Sequence, residues 1–266
     1  MRHIVHALCF SLLTAGPALA AGCGNTGSGF DAWKSEFAAE ARAAGVGERG
    51  INALMGARYS SRTIGADRNQ KGVKYSFDRF VQIRLGSLDS FAANARRRIQ
   101  SNQAFYDSLE QHFGVPAGIL VSIHGMETGY GRTMGTEPVI DSILTVAYDC
   151  RRPQLFRPHA IAALKMIDRG MLSPAQKGAF HGELGHTQFL PGNAMRYGVD
   201  ATGDGRVDFY NQTDALASTA NFLRQKGWKR GQPYGPGTHN FRVLNEWNAA
   251  TVYQQAISAA AERIDR

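Results

Sequence analysis

Glu127 ends an apolar run that begins at Pro116, and Leu120, Ile123 and Glu127 fall there at i, i+3 and i+7. A helix opened by Pro116, whose missing N–H costs nothing in a first turn, puts these three on one face. That face is apolar, so the carboxylate points where leucines point, toward the interior or a cleft wall. Desolvation there disfavours the charged form and raises the carboxyl pKa. A carboxylic acid that keeps its proton near neutral pH suits glycosidic cleavage, because the leaving oxygen must be protonated as its bond breaks. Gly125, Gly129 and Gly131 flank it, and their lack of side chains is expected to let a bulky substrate approach. The alternative is a structural carboxylate paired with an arginine.

The chain opens Met-Arg-His, runs almost without polar groups from Ile4 to Leu13, and reaches Ala18-Leu19-Ala20. A charged start, a short apolar stretch and an Ala-x-Ala site predict a secretory signal at 1–20 and a mature chain at 21–266. The apolar run is too short for a membrane span, and no later segment resembles one. The formal net charge is +8, and +7 once Arg2 has left. An exported basic protein favours polyanions. No interleaved basic and aromatic platform for single strands is present, so nucleic acid is not expected as a partner. Cell-wall peptidoglycan, with its lactyl and peptide carboxylates, fits better.

Cys9 departs with the signal, leaving Cys23 and Cys150. A remaining pair in an oxidising compartment predicts one disulfide. The alternative is that Ala20-Ala21-Gly22-Cys23 acts as a degenerate lipidation site, which would leave Cys150 unpaired.

Ala-rich amphipathic stretches dominate at 33–44, 77–100, 104–113, 116–127, 140–148, 158–171, 213–226 and 251–264. Strong helix formers at 3.6-type spacing predict a mainly α protein. A short strand is expected at most near 206–209. The Gly/Pro-rich segment 227–237 reads as a surface loop before a small C-terminal helical tail, within one catalytic domain.

Three further segments carry chemical groups. Gly182 and Gly185 mark a loop with close backbone approach, and Gln188 there could bind a sugar amide or hydroxyl or simply cap backbone. His181 and His186 lack the i, i+4 spacing of helical zinc ligands, so zinc is not expected. Asp200 to Asn211 sets oxygen donors at positions 1, 3 and 5, Gly205 at 6 and a carbonyl at 7, as a calcium loop begins. Asn211 occupies position 12 in place of Glu, and Asp214 is the candidate substitute. A polar turn is the alternative. Arg151 and Arg152 form a fork suited to a substrate carboxylate, or to a neighbouring acidic residue.

Together these segments resemble a known family. Gly114-Val-Pro116 followed by Ile119 to Arg132, with Gly-Met-Glu127-Thr and Tyr130-Gly, is similar to the catalytic helix of membrane-bound lytic transglycosylase B and its soluble relatives. Gly182 to Pro191 resembles their second active-site stretch. Tyr197 to Asp208 resembles their calcium-type loop, and Ala220 to Trp228 the helix after it. The resemblance implies a lysozyme-like helical fold with a catalytic cleft. It implies non-hydrolytic cleavage of the β-1,4 bond between N-acetylmuramic acid and N-acetylglucosamine, in a periplasmic, monomeric protein acting on peptidoglycan glycan strands. Glu127 would serve as acid and then as base, closing a 1,6-anhydro ring. Gln188, Arg151, Arg152, Tyr130 and Phe189 would bind substrate. No cofactor would be needed for catalysis. A structural calcium ion would sit on Asp200, Thr202, Asp204, the Arg206 backbone and Asp214.

The chain departs from that family at Glu183, where a small residue is usual, and at Ala179 and Phe222, where hydroxyls are common. A second carboxylate in the cleft would open an alternative, a muramidase in which Glu183 helps water attack the same bond. A catalytically idle peptidoglycan-binding protein is the remaining alternative.

Overall fold

The computed structural model describes residues 21–69 and 75–266. The expected signal at 1–20 lies outside them. Thirteen α-helices account for most of the described chain, α1 Phe30–Ala43, α2 Glu48–Gly56, α3 Ser61–Arg68, α4 Phe77–Arg84, α5 Leu88–Ser101, α6 Gln103–Phe113, α7 Ala117–Thr128, α8 Val139–Tyr148, α9 Pro153–Asp168, α10 Pro191–Tyr197, α11 Gln212–Gln225, α12 His239–Trp247 and α13 Thr251–Asp265. Among the described residues, sheet is confined to an antiparallel pair, β1 Glu137–Pro138 and β2 Lys177–Gly178. The mainly α expectation therefore holds.

Helix α7 is the centre of the fold. Gly114, in the left-handed region at φ 75°, closes α6, and extended Pro116 caps α7. Gly129, left-handed at φ 58°, ends it. Ile119, Leu120, Val121, Ile123 and Met126 are buried, and so are Ser122 and His124. The helix is thus enclosed nearly all round, not amphipathic, because α13, α5, α6 and α11 pack against it from different sides. Burying each such large aliphatic chain stabilises the fold by about 1.5–3 kcal/mol before entropy is counted. Only Gly125 and Glu127 in its second half remain partly open.

Several expected boundaries change. The stretch 77–100 is broken between α4 and α5, where Gly86 takes φ 74° and the Ser87 side chain accepts from Ser90 N–H to start a new helix. The C-terminal segment is no peripheral tail. Helix α13 buries Val252, Tyr253, Ala256, Ile257, Ala260, Ala261 and Ile264, and packs on α7, α5 and α4. No strand forms at 206–209. Asp208 N–H donates to the Asp214 carboxylate and the Phe209 carbonyl accepts from His186 N–H, so that backbone is spent on loop closure.

A disulfide joins Cys23 to Cys150 across 127 residues of sequence. The leader beside it is held by Gly24 N–H to the Tyr148 carbonyl and by Cys150 N–H to the Gly24 carbonyl. With its sulfur bonded to Cys150, Cys23 has no thiol for lipidation. No helix among the described residues is long and apolar enough to cross a membrane.

Candidate active site

Helix α7 delivers Glu127 to a wall shared by two hollows. One, of ≈ 430 Å³, is lined by Arg84, Phe91, Asn94, Gly125, Tyr130 and Arg132. The other, of ≈ 230 Å³, is lined by Glu183, Gln188, Leu190, Asn193, Trp247 and Asn248. Glu127 is half-buried between them. Burial is the largest influence on it and pushes its pKa up to about 6. Three neighbours oppose that rise: the Tyr253 hydroxyl, the Trp247 indole N–H and the Arg84 guanidinium. The Glu183 charge adds to it. Trp247 Nε1 donates to Glu127 Oε1 at 3.0 Å. Tyr253 favours the carboxylate from close by without full hydrogen-bond geometry.

The glycines around Glu127 serve the protein's own packing instead of a substrate. A Cβ at Gly125 would meet Phe91 Cζ at 2.6 Å and Tyr130 Cζ at 2.8 Å, and one at Gly131 would meet His186 Cε1 at 2.3 Å. Tyr130 adopts φ 66°, stacks on Phe91 and takes the Arg98 guanidinium over its ring at 3.9 Å. It therefore forms part of the first hollow as a braced aromatic wall. Beneath it, Thr128 Oγ1 donates to the His186 carbonyl at 2.7 Å and His124 Nε2 meets His186 Nδ1 at 2.9 Å. These contacts lock the end of α7 to the turn that carries Gln188.

That turn is shaped by Gly185, whose φ is 61° and whose added Cβ would lie 1.8 Å from the Phe209 carbonyl. Gln188 follows at φ 57° and donates Nε2 to the Gly185 carbonyl at 2.7 Å. Its amide group thus braces the turn while the side chain lines the second hollow. Phe189 is 2% exposed and packs against Phe209, Phe222 and Trp247. It supports the floor of that hollow and offers substrate almost no surface.

Arg151 and Arg152 do not present a free fork. Both guanidiniums pair with the buried carboxylate of Asp67, at the end of α3. Asp67 also meets His181 Nε2 at 3.1 Å, and His181 Nδ1 meets Glu183 Oε1 at 2.9 Å. The expected substrate fork is instead the outer end of a charged chain leading to the cleft. Glu183 lines the second hollow, as a second carboxylate in the cleft would, and is at the same time held by His181. Glu183, Asp67, Arg84, Trp247 and Tyr253 are brought to the site by tertiary packing.

The calcium-type loop does come together, but its carboxylates turn onto its own amides. Asp200 accepts from Gly203 N–H and Gly205 N–H, both at 2.7 Å. Asp204 accepts from Arg206 N–H. Asp214 Oδ1 accepts from the Ala201 and Thr202 amides, and Oδ2 from the Asp208 amide. The oxygen donors and left-handed Gly205 suit a hard cation by type. As arranged, no three acidic, His or Cys side chains converge on a metal position among the described residues. Asp214, the candidate substitute for position 12, clips the loop through these three bonds.

Residues 29–238 match the family model described as the transglycosylase SLT domain. Membrane-bound lytic murein transglycosylase B of Escherichia coli K12 is 33% identical over 142 residues, which cover 50% of this chain and 39% of that one. This chain thus spans about two fifths of that relative's length. SltB3 from Pseudomonas aeruginosa, solved in complex with NAG-anhNAM-pentapeptide, superposes with a TM-score of 0.80 at 26% identity, over 90% of this chain and 80% of that one. The lytic transglycosylase Slt35 of Escherichia coli, solved in complex with calcium, gives a TM-score of 0.76 at 20% identity, over 92% and 96% of the two chains.

Proposed function

This chain belongs to the transglycosylase SLT domain family, and we propose that it is a lytic transglycosylase that cuts the β-1,4 bond between N-acetylmuramic acid and N-acetylglucosamine in peptidoglycan. The observation that carries this reading is Glu127, an acid with its pKa pushed up to about 6, on the wall between two sugar-sized hollows. The protonated carboxyl donates its proton to the glycosidic oxygen. The C1–O bond breaks, its electron pair leaves with that oxygen, and positive charge develops at C1 of the muramic acid. The carboxylate of Glu127 then takes the proton of the C6 hydroxyl as that oxygen bonds to C1. The 1,6-anhydro ring closes, the acid is regenerated and no water is consumed. One group acts in turn as acid and base, which a pKa near the working pH permits.

Neighbouring residues fill supporting roles in this reading. Arg84 and Arg132 give the first hollow a positive character suited to lactyl and peptide carboxylates. Gln188, Asn193 and Asn248 offer the second hollow amide groups for sugar hydroxyls and acetamido groups. Residues 1–20 act as an export signal, and the disulfide fits the oxidising periplasm. Slt35 was solved with calcium, but no step here passes through the loop at Asp200–Asp214.

Mass spectrometry of soluble products from purified peptidoglycan tests this reading. Products ending in 1,6-anhydro-muramic acid are expected. Products one water heavier would establish hydrolysis. Intact glycan after incubation with folded protein would leave a binding protein.

A further inference from the structure

The charged chain behind Glu183 has no task in the mechanism above. His181 stands between two carboxylates, with Nε2 facing Asp67 Oδ1 and Nδ1 facing Glu183 Oε1. Carboxylate oxygens only accept, so both ring nitrogens must donate, and His181 is an imidazolium. Its two anionic neighbours raise its pKa against the effect of burial. Glu183 Oε2 accepts in addition from the His181 amide at 2.8 Å. Asp67, 3% exposed, is held in turn by the guanidiniums of Arg151 and Arg152. The chain therefore alternates in sign from the surface arginines to a carboxylate on the cleft wall.

We propose that Glu183 is a second functional carboxylate of this cleft, an anion fixed by His181, Asp67 and the Arg151–Arg152 pair, which stabilises the positive charge that builds on the cleaved sugar beside Glu127. The inference rests on the transglycosylase reading for the identity of that sugar. Glu183 and Glu127 line the same hollow, with Gln188, Asn193, Trp247 and Asn248 around them. Their surroundings push the two pKa values apart, Glu127 up and Glu183 down. Such a pair divides the labour: one carboxyl supplies the proton and the other stays charged. A low pKa also makes Glu183 a poor base toward water, so its charge serves the cation better than it would serve hydrolysis. A carboxylate oriented in advance stabilises charge without reorganising during the reaction. His181 and Asp67 are positioning residues, since they act through Glu183.

The charged and titratable groups facing Glu127 are Glu183, Arg84 and Tyr253, with Trp247 as a neutral donor. Those around Glu183 are His181 and Glu127, backed by Asp67, Arg151 and Arg152. Removing the Glu183 charge must therefore lower the Glu127 pKa. In E183Q we expect kcat to fall about 100-fold with KM little changed, and the basic limb of the pH–rate profile to move to lower pH. E183D is expected to recover part of kcat, and His181→Gln to lower it about tenfold. Wild-type kcat with an unmoved limb in E183Q overturns the proposal. The 13C titration of the Glu127 carboxyl gives a reading without turnover: a downward shift in E183Q supports the proposal, and an unmoved titration overturns it. If E183Q does not fold, the same titration in His181→Gln decides, an unmoved Glu127 again overturning it. Wild-type protein that releases no product sinks the transglycosylase reading alone, and the titration still shows whether the Glu183 charge acts at Glu127.

Discussion

Trp247 Nε1 donates to Glu127 Oε1 at 3.0 Å, joining two residues 120 apart in the sequence. Trp247 ends α12, beyond the segment 29–238 that matches the family model. The indole also packs edge-on against Phe189 and Phe222, which fixes its direction. A neutral donor at this place favours the ionised carboxylate and opposes the burial that holds Glu127 protonated.

Trp247→Phe keeps the packing and removes the donor. The Glu127 pKa should rise, and the basic limb of the pH–rate profile should move to higher pH. The effect on kcat at the optimum is expected to stay within about tenfold, the scale of one neutral-to-charged hydrogen bond. This direction is opposite to that of E183Q, so the two variants form a paired test in one pH series. A limb that moves down in both would show that Trp247 acts on Glu127 through some other contact.

Glu127 itself opposes stability above its pKa. The folded state binds its proton more tightly, burial pushing the pKa up to about 6 from the ordinary 4.5. Below pH 4.5 both states hold the proton and the group contributes no difference. Between 4.5 and 6 the unfolded chain releases it first, so stability falls as pH rises; above 6 the penalty is complete at about 2 kcal/mol. Glu127→Gln should therefore stabilise the protein by up to about 2 kcal/mol at pH 7.5 and leave it unchanged at pH 4, while turnover falls about 1000-fold. Urea unfolding at the two pH values, beside product release, measures both effects. Equal stabilisation at both would mean that charge is not the cause.

How far the site could be read from sequence follows from how each residue reaches it. Glu127 was visible because a carboxylate inside an apolar helix breaks a local pattern. Gly185 and Gln188 were visible because a tight turn needs glycine. Asp67 carried no such sign: it ends a short polar helix and meets His181 only after α3 and the 177–190 segment fold against each other. Trp247 was hidden for another reason. Helix α12 is polar on most faces and follows a Gly/Pro-rich loop, although Thr238 accepting from Phe241 N–H marks its start. The glycines near Glu127 were misread, since the space they leave is filled by Phe91, Tyr130 and His186. A missing side chain does not say which neighbour uses the room.

The disulfide bears on this site as well as on stability. Cys150 directly precedes the two arginines that grip Asp67, and Arg68 pairs with Asp149 at 2.7 Å in the same corner. Cys23→Ser should cost about 2–4 kcal/mol, the usual effect of a long closed loop. Thermal unfolding with and without reductant checks this. Wild type should fall to the level of the variant under reduction, and the variant should not change.

Asp214 is the clearest test of what holds the loop at Asp200–Asp208. Buried at 1% exposure, it accepts from the amides of Ala201, Thr202 and Asp208. Asn at this position keeps the shape but offers one carbonyl oxygen, and its NH2 faces at least one backbone N–H. A donor set against a donor in a buried place leaves both unpaired, at a cost of about 1–3 kcal/mol. Because α11 begins at Gln212, loosening there should also fray its first turn. Urea unfolding in the presence of a chelator isolates the clip from any cation, and hydrogen exchange at Ala201, Thr202 and Asp208 localises the change. Protection lost at these three amides, with the α7 core unaffected, is the expected result. Unchanged exchange in D214N would show that the loop is held by something other than this carboxylate.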